Sequence, residues 1–114
     1  MAGLQDIFME IDSSVKNDPS RAGGLEAVYQ FNLNGDESGT YHIVFRDGIS
    51  YAGEGEIEKA DCTMNMFTND FKKMVDGKLN GTQAFMTGRL KIKGNMGLAL
   101  KLQEILASAN RSAK

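Results

Sequence analysis

The sequence predicts an α+β domain, on three observations. Leu4, Ile7, Phe8, Ile11 and Val15 recur at helical spacing near the start. Three runs between residues 27 and 53 alternate with period two and are separated by glycine-containing turns. The last segment, from Asn95 to about Ser108, returns to helical spacing. The 114 residues fit one domain, read here as 1–114. A chain of this length buries roughly two-thirds of its unfolded surface, enough for a core without metal or disulfides.

In the first helix, Asp6, Glu10, Asp12 and Lys16 lie between the apolar positions, which leaves one buried stripe. Asp18-Pro19 ends it, because the residue before a proline avoids the helical region. Gly23-Gly24 marks a turn. Ala27, Tyr29, Phe31 and Leu33 then alternate with Val28, Gln30 and Asn32 as a first strand. Asn34-Gly35-Asp36 through Gly39 is a hairpin loop. Tyr41, Ile43 and Phe45 make a second strand, Asp47-Gly48 a turn, and Ile49, Tyr51 and Gly53 a short third one. The expected product is an antiparallel meander with one apolar face.

Cys62, Met64 and Met66 alternate with Thr63 and Asn65 as a fourth strand. Thr68 is expected to cap a short helix carrying Phe71, Met74 and Val75, closed by Gly77. Thr82 to Thr87 reads as one or two helical turns with Phe85 and Met86 apolar and Gly88 as the stop. Leu90 and Ile92, between Arg89, Lys91 and Lys93, form a fifth strand with a basic face that suits a sheet edge.

The final helix is the most informative element. At about 100° per residue, Lys101, Glu104, Ser108 and Arg111 share one narrow polar face, leaving roughly 220° of arc. Leu98, Leu102, Ile105 and Ala109 form one apolar stripe; Met96, Ala99, Leu100 and Ala107, with Gln103 among them, form another. A surface helix needs an apolar stripe of only about 100°. This helix therefore has two things to cover, the sheet and a neighbouring helix, a partner chain or a ligand; the arc does not say which stripe meets which.

Charge and chemistry narrow the function. The formal net charge of −2 argues against nucleic acid as a partner. The N-terminus shows no apolar secretory leader, and Cys62 is the only cysteine, which together suit a reducing, cytoplasmic setting. His42, the only histidine, has the parity of the outward face of its strand. Cys62 falls among buried positions, where a thiol is inert. Asn32, Asn34 and Asp36 have calcium-loop spacing, but Glu37 and Ile43 stand where that loop needs Gly and Glu. No metal or other cofactor is expected. No acid, base and nucleophile must converge, so the chain is read as a carrier and not an enzyme.

The C-terminal half resembles the sterol carrier protein 2 domain, a family of nonspecific lipid-transfer and acyl-binding modules. The resemblance rests on Ala60-Asp61-Cys62-Thr63, on Gly77-Lys78-Leu79-Asn80, and on the run from Ala84 through Gly88-Arg89-Leu90-Lys91-Ile92-Lys93-Gly94-Asn95-Met96 to Gln103. It implies a five-stranded, mostly antiparallel sheet with helices packed on one face, enclosing an apolar tunnel. On that reading Phe8, Ile11, Tyr29, Phe31, Tyr41, Ile43, Met64, Met66, Phe71, Phe85, Met86, Met96, Ala99, Leu100 and Gln103 are the candidate ligand contacts. Gly81-Thr82 departs from the family's usual Pro-Gln, so the short helix there is expected to start differently. The family's peroxisomal forms end in a tripeptide such as Ser-Lys-Leu. This chain ends Ser112-Ala113-Lys114, so a peroxisomal address would need a further leucine.

The expected function is an intracellular carrier of one fatty acid, fatty acyl-CoA, sterol or phospholipid, with transient membrane contact. The alternative is an interaction or oligomerisation module that uses the apolar C-terminal helix.

Overall fold

A computed structural model describes residues 3–17, 26–46 and 49–112, with side chains as far as Glu104. The elements run α1 (Leu4–Asn17), β1 (Ala27–Asn34), β2 (Gly39–Arg46), β3 (Ile49–Glu54), β4 (Cys62–Phe67), α2 (Thr68–Val75), α3 (Gly81–Met86), β5 (Leu90–Gly94) and α4 (Met96–Ser112). The turns expected at Asp18-Pro19, Gly23-Gly24 and Asp47-Gly48, and the side chains of Ile105, Ala107, Ser108, Ala109 and Arg111, lie outside the described residues.

The strands form one sheet in the order β3-β2-β1-β4-β5. The meander β1-β2-β3 is antiparallel, as is β4-β5, but β1 and β4 run parallel, with Tyr29 opposite Cys62 and Leu33 opposite Met66. A parallel neighbour needs a crossover. Residues 55–61 supply it on the sheet face away from the helices: Ile57 N–H donates to Gln30 Oε1, and Asp61 N–H to the Val28 carbonyl. The Val28 N–H in turn donates to Asp61 Oδ2 at 2.8 Å. Gly94, at φ +110°, closes β5 against this crossover; a Cβ there would collide with the Asp61 carbonyl oxygen.

All the helices lie on the other face, over Ala27, Tyr29, Phe31, Leu33, Tyr41, Ile43, Phe45, Cys62, Met64, Met66 and Leu90, which share one buried core with them. The α1 stripe Leu4, Phe8, Ile11 and Val15 is buried, as its spacing requires. Phe8 stacks on Tyr41 and Phe71, with ring centroids 4.3 and 5.3 Å away, and meets Phe31 edge-on. The α2 N-terminus is tied to the β1-β2 loop, where Thr68 Oγ1 donates to the Glu37 carbonyl and Lys72 Nζ lies 3.0 Å from Glu37 Oε1. Glu37 Oε2 accepts from Leu4 N–H at 2.8 Å, so one loop residue joins the start of α1 to α2, through its carbonyl at Thr68 and its carboxylate at Lys72.

Three expectations are corrected. Thr68 is not the cap of α2: Phe67 occupies that position without a side-chain hydrogen bond, and the Thr68 hydroxyl is engaged by Glu37 instead. The inward face of β3 is not Ile49 and Tyr51, which are 62% and 36% exposed. Pairing with β2 sets Ser50 opposite Phe45 and Ala52 opposite Ile43, which turns the small residues toward α1. His42 faces away from the core but is half-buried, its Nδ1 3.0 Å from the Gly55 carbonyl beneath the crossover. Among the described residues, no helix is long and apolar enough to cross a membrane.

Candidate functional site

Beside the core, at the β5 end of the sheet, the helices do not close. Met64 of β4 with Leu90 and Ile92 of β5 form the floor of an apolar cleft. Met74 of α2, Gly81, Thr82 and Phe85 of α3, and Met96, Ala99, Leu100 and Gln103 of α4 form its walls. Its cavity volume is about 100 Å³. An enclosed cavity of roughly 150 Å³ is what a benzene ring occupies. The space is therefore an open cleft smaller than an acyl chain, in the place where a tunnel was expected.

Each wall is set by local sequence. Asn80 caps α3, its side-chain oxygen accepting from Thr82 N–H at 2.8 Å and Gln83 N–H at 3.4 Å. Gly88, at φ +80°, ends the helix before β5. In six residues α3 buries only Gly81 and Ala84. Gly81 admits the close approach of α4, because a Cβ there would strike the Gln103 side-chain oxygen and touch Met74 Sδ at 3.4 Å. Tyr29, rooted in the sheet, donates its hydroxyl to the Leu98 carbonyl at 2.8 Å and so fixes the first turn of α4.

The two stripes of α4 differ in burial. Leu102 is fully buried and Leu98 packs against the core, whereas Met96 and Leu100 are 44% and 48% exposed at the cleft. Ala99 serves both, being buried and lining the cleft.

Of the fifteen candidate contacts, Met64, Phe85, Met96, Ala99, Leu100 and Gln103 converge on the cleft. Ile11, Tyr29, Phe31, Ile43, Met66 and Phe71 are core, and Met86 stands 77% exposed on α3, off the cleft lining. Phe8 and Tyr41 border a second depression, of about 240 Å³, with Gln5, Met9, Asp12, Ala52, Gly53 and Glu54. That hollow is the larger, but its carboxylates are engaged. Asp12 accepts from Ala52 N–H and pairs with Lys16, and Glu54 accepts from Gln5. The apolar cleft, with few polar groups, is the better small-molecule site. Sequence reasoning missed Met74, Gly81, Thr82, Leu90 and Ile92. The signal for Leu90 and Ile92 was their alternation, which does not distinguish core from cleft.

Tyr29 and Cys62, whose ionisation is strongly perturbed, lie in the core and not in the cleft lining. Burial, then the neighbouring Cys62 and Asp61, hold the Tyr29 hydroxyl well above the usual phenol range. Burial, then Asp61, push the Cys62 thiol up to about 11. Among the described residues, no group of His, Cys, Asp and Glu is placed to hold a metal ion.

The sequence model of the SCP-2 sterol transfer family matches residues 8–107. The chain belongs to this family. The SCP-2 fold is equally plain in solved structures. Sterol carrier protein 2 from Yarrowia lipolytica, in its apo form, superposes with a TM-score of 0.77 at 28% identity, over 93% of this chain and 91% of that one. The sterol carrier protein domain 2 of Helicoverpa armigera gives 0.75 at 30% identity, over 91% and 85%. Membership in the SCP-2 family supports lipid binding and transfer as the function of the fold.

One expectation is overturned here. Hydroxysteroid dehydrogenase-like protein 2 of Xenopus tropicalis is 45% identical over 108 residues, which are 94% of this chain and 25% of that protein. The protein of the same name from Mus musculus is 41% identical over 108 residues. The chain thus spans about a quarter of the length of the curated relatives it matches. The reading of the sequence as a non-enzyme is corrected accordingly: the relatives carry a dehydrogenase-like name, and what aligns is their SCP-2 part, without the enzymatic part.

Proposed function

We propose that this domain carries one long-chain acyl lipid, a fatty acid or fatty acyl-CoA ahead of a sterol or phospholipid, in the cleft between α3, α4 and the β4-β5 edge. The observation that carries the reading is the exposure of Phe85, Met96 and Leu100 at 36%, 44% and 48% around an apolar cleft that nothing in the described chain fills. Methionine is flexible and polarizable, and three of the lining residues, Met64, Met74 and Met96, are of this type. They suit a chain of variable shape.

Admission of a long chain requires α3 to part from α4. The small buried set of α3 makes it the element whose displacement costs least. Each methylene moved from water contributes about 0.8 kcal/mol, so a long chain supplies on the order of 10 kcal/mol gross. Ordering and association costs bring the net to roughly micromolar affinity. Gln103 and Thr82 are the polar side chains in the lining and are assigned to the ligand's polar end. Where a dehydrogenase-like part shares the polypeptide, as the relatives' name has it, the cleft is proposed to hold or deliver that part's lipid substrate.

The test is displacement of a fluorescent fatty acid by acids of increasing chain length. Affinity rising with length is expected; a flat series refutes the cleft as the acyl site. Native mass spectrometry separates the alternative, since a tight dimer with an empty core marks an oligomerisation module.

A further inference from the structure

Charge along this chain is sharply divided. Residues 1–67 contain four Lys/Arg against twelve Asp/Glu, and residues 68–114 contain nine against three. The fold sets the two segments toward opposite edges of the sheet. The first builds α1 and β1–β4, with α1 packed over the edge strand β3. The second builds α2, α3, α4 and the other edge strand, β5. Among the described residues, each edge also leaves an apolar feature open.

At the acidic edge the feature is the hollow of about 240 Å³ between α1 and β3. It has room because β3 turns only the small Ser50 and Ala52 toward α1. Phe8, Tyr41, Ala52 and the exposed Met9 give it apolar walls. Asp12 already has the Ala52 N–H and Lys16 as partners, so a visitor meets apolar surface and the charge of Glu54. Asp6 and Glu10 stand exposed on the same helix. At the basic edge the feature is a knob. Met86 on α3 is 77% exposed, the most of any large hydrophobic residue described, and it lies off the cleft lining. Lys78 shortly before α3 and Arg89 shortly after it are exposed.

We propose that the two features meet between molecules: Met86 of one copy seats in the α1-β3 hollow of a second copy, with Lys78 and Arg89 beside α3 facing the acidic residues around the hollow. Size and charge both fit. A cavity of roughly 150 Å³ holds a benzene ring, so the hollow admits a methionine side chain, whose flexibility lets it follow an irregular wall. Opposite charge on the two edges draws unlike edges together and holds like edges apart. One apolar anchor with exposed charges around it makes a transient contact, with a dissociation constant on the order of 100 μM. The contact uses neither the cleft lining nor α4, so it goes beyond the carrier reading and does not depend on it.

Sedimentation equilibrium of the 114-residue chain tests the contact. At low salt the weight-average mass should rise between about 10 μM and about 1 mM, and it should fall back as salt shortens the Debye length. Met86→Ser should weaken association roughly tenfold. Ala52→Leu fills the hollow from inside its own chain and should weaken association by a similar factor. Urea midpoints show whether both variants fold; Met86 is exposed, so its replacement decides even where Ala52→Leu is destabilised. Arg89→Glu and Glu54→Lys, each alone, set like charges against one another and should weaken self-association about fivefold. An equimolar mixture of these two variants brings unlike charges together again and should associate as the wild type does. A mass that stays monomeric up to about 1 mM, association unchanged by Met86→Ser or by a folded Ala52→Leu variant, or a mixture no better than its components overturns the proposal.

Discussion

Leu102 and Leu100 lie two positions apart on α4 and should respond oppositely to substitution. Leu102 is fully buried against the core, so Leu102→Ala removes buried methyl groups and leaves a cavity, costing about 2–5 kcal/mol. Unfolding entropy near 2.1 cal/mol/K per residue implies a fall in Tm on the order of 10 °C for a chain of this size. Leu100 is 48% exposed. Leu100→Gln places its amide within reach of water, so the folding cost should stay below about 1 kcal/mol. A bound acyl chain would cover the remaining half of the leucine, worth about 1 kcal/mol, and losing that contact weakens binding roughly fivefold. Urea titration of the ligand-free variants and fluorescent fatty-acid displacement, corrected for the folded fraction, measure the two quantities. If both substitutions destabilise the apo domain equally, or Leu100→Gln leaves affinity per folded molecule unchanged, α4 is ordinary core and its second stripe is not a ligand wall.

Three further outcomes follow from local geometry. Gly81→Ala drives a methyl group against the Gln103 side chain and Met74, both flexible at the point of contact, so stability should change by less than about 1 kcal/mol. Acyl affinity should fall as Gln103 is displaced into the cleft, and unchanged affinity for all chain lengths would remove Gly81 from the site. The Leu4 N–H, and next Lys72, hold the Glu37 carboxyl below its usual range. Its contribution to stability is therefore present above the unfolded carboxyl pKa of about 4.3 and is lost as pH falls through the lower folded value. The stability difference between wild type and Glu37→Gln, from urea midpoints over a pH series, should shrink toward acid; a constant difference would refute the linkage. The buried Cys62 thiol, pushed up to about 11, should resist maleimide near neutral pH and label rapidly in urea. Fast labelling of the native protein would mean that the β1-β4 region opens.

The sequence by itself determined what depends on spacing within one element. Leu4, Phe8, Ile11 and Val15 are three or four residues apart, and that period alone decides which side of α1 is buried. The alternation of Tyr29, Phe31 and Leu33, and of Cys62, Met64 and Met66, likewise decides the inward faces of β1 and β4. The excess arc of α4 announced a second surface, and the resemblance of residues 60–103 supplied the fold around it. Only the tertiary structure decided what depends on register and on contact between distant segments. β3 could not be read from its larger side chains, because pairing with β2 turns Ser50 and Ala52 inward. Thr68 was legible as a polar residue before a helix, but Glu37, 31 residues earlier in the chain, takes its hydroxyl. The apolar parity that sends Phe31 into the core also sends Ile92 to the cleft. The difference lies in what stands above each strand: Phe8 and Phe71 close over Phe31, while above Ile92 the short α3 leaves the helical layer incomplete. Periodicity within a segment records which side chains leave water. Whether they meet one another or border an empty space is set by the distance between elements, and no single element encodes it.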